Sequence, residues 1–289
     1  MNIGLVAAAG IALCYGMATV LQSIGAKSTE EHEGLDPGLL VRLLRSGPYL
    51  LGLGLDGGGF ALTVVALQTL PLFVVEAFTA GALAVTAVAA ALWLKLPLSR
   101  AEWAAVAAVT VGLVAVGLSA GEDQKAELAP WEQWLPLAAC AVLIVLTYLA
   151  ARTTGRWSVS ILGALAGFGF GLVGVATRSL AEPLTITGVL TDPAAYGLVV
   201  AGVVSILALA TALQRGSVTQ ATAAMVVAET VIPSIIGLVW LGDRIRPGFD
   251  LVALGGMLVA IAGSVALSRL GEIPADDEGQ PTAEESPAD

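Results

Sequence analysis

Charge is what this sequence has least of. Only 12% of its 289 residues are Asp, Glu, Lys or Arg, where a water-soluble domain carries about a quarter. So few charged side chains cannot cover a soluble core. The 57% hydrophobic content and mean hydropathy of +0.87 point to lipid as the solvent. Aromatic residues are sparse as well, at 6%. Histidine occurs once, as His32 in the polar stretch EEHEG, so the sequence holds no second His or Cys cluster to complete a zinc site. Cysteine occurs twice, and Cys14 and Cys140 fall in separate apolar segments, which reads as two core thiols and no disulfide. No Walker loop, dinucleotide fingerprint or Ser-His-Asp arrangement is present. Neither a cofactor nor an enzyme activity is therefore expected. With 13 basic residues against 23 acidic ones, no nucleic-acid partner is expected either.

Glycine, by contrast, is abundant at 34 copies, and small residues let membrane helices approach closely. Long apolar runs fill the rest. A span needs about 20 apolar residues, at 1.5 Å each, to cross a hydrocarbon core of about 30 Å. That rule predicts nine transmembrane helices, at roughly 3–24, 47–68, 71–94, 101–120, 134–152, 157–179, 194–214, 218–241 and 248–268. The first lacks a basic flank and is too long for a signal peptide, so it is read as a retained span. The expected fold class is an all-α integral membrane protein with one transmembrane domain over 1–270. The segment 271–289 carries seven acidic residues, three prolines and no Lys or Arg, and is expected to be a disordered acidic tail.

Loop charges set the expected orientation. Lys27, Arg42, Arg45, Lys95, Arg100, Arg152, Arg156, Arg215 and Arg269 fall on one side, and Lys125, Arg178, Arg244 and Arg246 on the other. The first group marks the cytoplasmic side. A multi-pass protein of the cell membrane is predicted, with the N-terminus outside and the tail in the cytoplasm.

The second half of the chain rereads the first. ALQTLPL at 66–72 pairs with ALQRGSV at 212–218, and WLKLPLSRAEW at 93–103 with WLGDRIRPGFD at 240–250. The first repeat is then about 1–120, the connector helix about 134–152, and the second repeat about 157–270. Corresponding helices stand five crossings apart, an odd number, so the copies point in opposite directions. Inverted repeats are a property of secondary transporters that bind substrate near the midplane.

The stretch AETVIPSIIGLVWLGDRIRP at 228–247 resembles the second-half signature of EamA-type members of the drug/metabolite transporter (DMT) superfamily, and LFVVEAFTAGALAVTAVAAALWLKLPLS at 72–99 is its first-half counterpart. The nine spans and LLGLGLDGGGFALTVVALQ at 50–68 also resemble the NIPA-like branch, which is linked to magnesium transport through an acidic residue at the place of Asp56. Many EamA-type relatives have ten spans. Gly57, Gly58 and Gly59 stand where NIPA-like relatives carry an Asn- and aromatic-rich run. The resemblance implies alternating-access transport of a small metabolite or ion, driven by protons or cations, with a magnesium or other divalent-cation pathway as the alternative.

Three carboxylates fall inside predicted spans: Asp56, Glu76 and Glu229. A charge at mid-membrane costs about 2.5–3.5 kcal/mol on insertion scales, and no span carries a central Lys or Arg to offset it. Such acids are protonated, hydrated or bound to a cation, which makes them candidate ion or substrate sites. Asp56 and Glu229, on different repeats, are the expected pair at a shared cavity and the metal ligands in the divalent-cation case. Glu76 lies closer to a span end. Gln22, Gln68 and Gln214 are polar groups near span ends, and Gln68 and Gln214 are carried as candidate vestibule residues. Gly57–Gly59 and Pro233 are expected to loosen the helices beside Asp56 and Glu229. Gly163, Gly167 and Gly171 give one helix a flat face for close packing, or else for a homodimer contact. A lipid-modifying membrane enzyme would need paired acidic motifs on cytoplasmic loops that are instead basic. A membrane scaffold is the remaining alternative.

Overall fold

The computed structural model describes residues 2–27, 46–93, 98–121, 129, 131–153, 157–180, 186–215 and 218–270. His32, the acidic tail 271–289 and most of the basic PGLLVRLLRSGP stretch lie outside the described residues. The chain is helical: α1 (Asn2–Lys27), α2 (Gly47–Ala66), α3 (Leu72–Ala80), α4 (Ala82–Trp93), α5 (Arg100–Ser119), α6 (Leu135–Arg152), α7 (Ser158–Ser179), α8 (Ile186–Thr191), α9 (Pro193–Arg215), α10 (Val218–Val239) and α11 (Asp250–Leu270). The short helices α3 and α4 together form one span. Among the described residues nine spans are long and apolar enough to cross a membrane, within a few residues of the expected ones.

Local sequence explains the ends. Pro48 opens α2, and Ser99 with Glu102 closes a reciprocal capping box on α5. The exposed tryptophans Trp93, Trp103, Trp131, Trp134 and Trp157 all lie at span ends, as expected of rings that seat at the headgroup level. Between those belts the outward surface is apolar, with Val142, Ile144 and Val145 of α6 and Val199, Val203 and Ile206 of α9 exposed.

α7 is the central helix: 61% of its span is buried, against 17% for α2. Its glycines make this position available. A Cβ at Gly163 would run into the Ala221 carbonyl, one at Gly167 into the Met225 carbonyl, and one at Gly171 would lie 2.7 Å from Pro233. The flat face is thus filled by α10 of the same chain, and it is not free for a homodimer contact. α5 and α11 meet in the same way, Gly112 facing the Gly256 carbonyl and Gly263 the Ala105 carbonyl.

The breaks fall elsewhere than expected. α2 runs unbroken through Gly57–Gly59, and α10 continues through Pro233. The interruption is at Gly81, between α3 and α4, in the span that carries Glu76. Glycine lowers helix propensity, but in lipid the backbone groups have no water to turn to and stay in the helix.

Two substitutions separate the roles of glycine. Gly167→Leu, forced against the Met225 backbone, should cost at least about 1–3 kcal/mol. Gly57→Ala meets nothing within 4 Å and should gain about 0.5–1 kcal/mol from helix propensity. Thermal unfolding in detergent reads both, and equal effects would refute the packing assignment.

Candidate functional site

The end of the bundle where α1 begins is called the upper end. Alternating spans place Gln68, Ser179 and Asp243 there, and Lys27, Arg152 and Arg215 at the lower end.

Asp56 sits midway along α2, with its Oδ2 accepting a 2.5 Å hydrogen bond from Gln22 Nε2 of α1. Gly52 makes this contact possible, since a Cβ there would lie 2.7 Å from Gln22 Cγ. Next along the same interface the Tyr15 ring lies on Gly59, 2.7 Å from where a Cβ would stand. Its hydroxyl is hydrogen-bonded to Thr63, whose own hydroxyl donates to the Gly59 carbonyl at 3.0 Å. Gly59 therefore serves as a seat for an aromatic ring.

Glu76, one turn into α3, is 5% exposed. It abuts α7 where Gly174 has no side chain, because a Cβ at that glycine would collide with Glu76 Oε1. Glu229, midway along α10, is half-buried and acts electrostatically on Glu76. Tyr15 lies within electrostatic reach of Asp56, Glu229 and Glu76 alike.

Glu229 acts on Glu76 across the two halves of the chain, Asp56 is held by Gln22, and Tyr15 is the group common to all three. Gln68 lies in the turn after α2 at the upper end, and Gln214 near the lower end of α9, with its side chain outside the described residues. Among the described residues no three His, Cys, Asp or Glu side chains come close enough to hold a metal ion.

A groove of about 870 Å³ opens at the lower end between α7, α10 and α11, lined by Ser160, Gln220, Ala224, Val227 and Arg269 among others. It follows the face of α10 marked by Gln220, Ala224, Val227 and Val231. Helical periodicity puts Glu229 on the opposite face, so the groove and the carboxylates are separate features.

A second polar centre was not foreseen. Arg178, at the upper end of α7, and Asp243, after α10, form an ion pair at 3.5 Å with side chains 1% and 0% exposed. Arg178 Nη1 also donates to the Leu67 carbonyl, at the C-cap of α2. Asp243 Oδ2 accepts from the Leu72 N–H, the first of α3, at 2.6 Å. Each charge thus faces the helix end whose dipole it complements and fills one of that end's open hydrogen-bonding groups. Gly242, at φ 80°, turns the chain so that the Asp243 N–H returns to the Gly237 carbonyl at 3.0 Å. Both charges lie at span ends, which is why they read as solvated loop residues. The Leu-Gly-Asp run after α10 was the available signal.

No protein-family model and no solved structure matches the chain. It is similar to an uncharacterized protein of Corynebacterium glutamicum, 26% identical over 274 residues that cover 91% of this chain and 94% of that one. A match of that breadth takes in most of the helical bundle and carries no activity with it.

The Gln22–Asp56 bond is open to a double-mutant cycle. Gln22→Leu, Asp56→Leu and the double variant should show a coupling of about 0.5–3 kcal/mol in thermal unfolding. Strict additivity would mean that the two side chains do not engage.

Proposed function

We propose that this chain is a secondary carrier of the EamA-type drug/metabolite transporter kind. It moves a small metabolite or ion across the cell membrane by alternating access, coupled to protons or another cation. One observation carries the reading: three carboxylates, Asp56, Glu76 and Glu229, lie within membrane-spanning helices, with Tyr15 in the electrostatic reach of all three. Acids at that depth are costly, and a structural role alone gives no reason to keep three of them. Among the described residues the buried basic side chain is Arg178, and Asp243 already engages it.

Helix packing supports two inverted repeats. α1 packs against α2 and the α3–α4 span, as α7 packs against α9 and α10. α3 meets its counterpart α10, and α5 meets its counterpart α11, across the halves. A pseudo-twofold axis in the membrane plane would generate this set of neighbours, and the sites of carriers built on such an axis lie near the midplane, the depth of Asp56 and Glu229. The basic lower end is the cytoplasmic side on the loop-charge rule.

A divalent-cation pathway needs several oxygen ligands around one ion. With no three-ligand cluster among the described residues, the structure offers that alternative no particular support.

Purified protein in proteoliposomes, under an imposed proton or cation gradient, should take up at least one solute from a panel of amines, amino acids, sugars and metal ions. Asp56→Asn, Glu76→Gln and Glu229→Gln should each abolish gradient-driven uptake while melting close to the parent. Parent-like uptake by all three would make the carboxylates structural and remove the basis of the reading. A reporter fused after Arg269 should work only as a cytoplasmic fusion, and its export would reverse the orientation.

A further inference from the structure

We propose that the Arg178–Asp243 pair is the gate at the upper end of the bundle, and that α3 is the lever connecting it to the membrane carboxylates. The proposal rests on the carrier reading and assigns which contacts must part for the upper end to open.

The pair is placed where the halves meet. Leu67 and Leu72 belong to the first half of the chain, and Arg178 and Asp243 to the second. The 240–249 segment is in turn fastened to α5. Gly121 N–H donates to the Arg244 carbonyl at 3.0 Å, and Arg246 N–H to the Ser119 carbonyl at 2.9 Å. Three bodies therefore converge on two buried side chains: the α2–α3 turn, the end of α7, and the segment tied to α5. Separating them at this end means breaking the bonds of Asp243 to Arg178 and Leu72.

α3 has the form of a lever. It is nine residues long and ends at Gly81. Beyond Gly81, α4 is held to α1, where Thr86 Oγ1 donates to the Gly16 carbonyl at 3.2 Å and Gly16 leaves room for Val85. A rigid segment that pivots at Gly81 carries two contacts. Its first N–H touches Asp243, and Glu76, one turn or about 6 Å along, faces Gly174 in the field of Glu229. Neutralising the carboxylates with a proton or cation changes the force on the same helix that reaches the gate.

An ion pair suits a gate better than an apolar plug does. A buried pair gains little over well-packed apolar side chains while closed, but both partners are hydrated once water enters. The open and closed states then stay close in free energy, as a switching element requires.

The test uses the full chain in nanodiscs with Cys14 and Cys140 replaced by alanine. Spin labels go on cysteines at Thr69 and Arg244, both exposed at the upper end on different bodies. Asp243→Asn should add a longer distance population to that of the parent, and Arg178→Lys, which keeps the charge, should do the same. Distributions identical to the parent in both variants would overturn the gate. In a second arm, a bifunctional thiol reagent that joins the cysteines at 69 and 244 across the upper end should abolish uptake, whereas uptake indifferent to the cross-link would overturn the proposal. If the parent carries no solute at all, the carrier reading fails, and the distance measurement still decides whether this end opens.

Discussion

The Arg178–Asp243 ion pair is the constraint on which the upper end of the fold depends. Two spans of the first half turn at Leu67–Leu72, leaving a carbonyl at the end of α2 and an N–H at the start of α3 without helical partners. In lipid such groups cannot be left to water. The second half supplies a guanidinium for one and a carboxylate for the other, and the two charges neutralise each other. Removing either partner would strand a buried charge and one helix-end group, a loss of about 3–5 kcal/mol by comparison with other buried pairs.

Lateral packing depends on a different economy of atoms, the missing Cβ. Gly163, Gly167 and Gly171 bring α10 against α7, and Gly112, Gly256 and Gly263 bring α11 against α5. Two further glycines shape the candidate site: Gly59 receives the Tyr15 ring and Gly174 admits the Glu76 carboxylate. Without a hydrophobic driving force between helices in lipid, close backbone approach and van der Waals contact hold the bundle together. The same approach lets short polar side chains reach from one helix to the next.

Apolar run length made the nine spans legible in the sequence, because each is about as long as a bilayer is thick. The glycine spacing of α7 was legible too, since only a close neighbour explains three flat positions on one helix face. The depth of Asp56, Glu76 and Glu229 followed from counting residues. Their partners did not. The Gln22–Asp56 contact and the Tyr15–Thr63 bond depend on how α1 registers against α2, which apolar periodicity leaves undetermined in helices with so few polar residues. Arg178 and Asp243 were hidden by their position at span ends, where charge is ordinarily solvated. Three consecutive glycines weigh more in a sequence than the single Gly81, yet α2 stays helical through Gly57 and Gly58, which have nothing within 4 Å, because in lipid the backbone has no partner but its own helix.

The carboxylates are not equivalent in this geometry. Asp56 and its donor Gln22 lie on α1 and α2 of the same half, so motion of one half against the other leaves their contact intact. Glu76 and Glu229 lie on α3 and α10, in opposite halves, and α3 also meets α7 through Gly174. Two ionised carboxylates in a low-dielectric interior repel each other, and a shared proton or bound cation turns that repulsion into attraction. On the carrier reading, Glu76 and Glu229 therefore convert the arrival of a charge into a change in the spacing of the halves. The number of acidic groups is less informative than their distribution: one acid is hydrogen-bonded within a half, and two on opposite halves lie in each other's field.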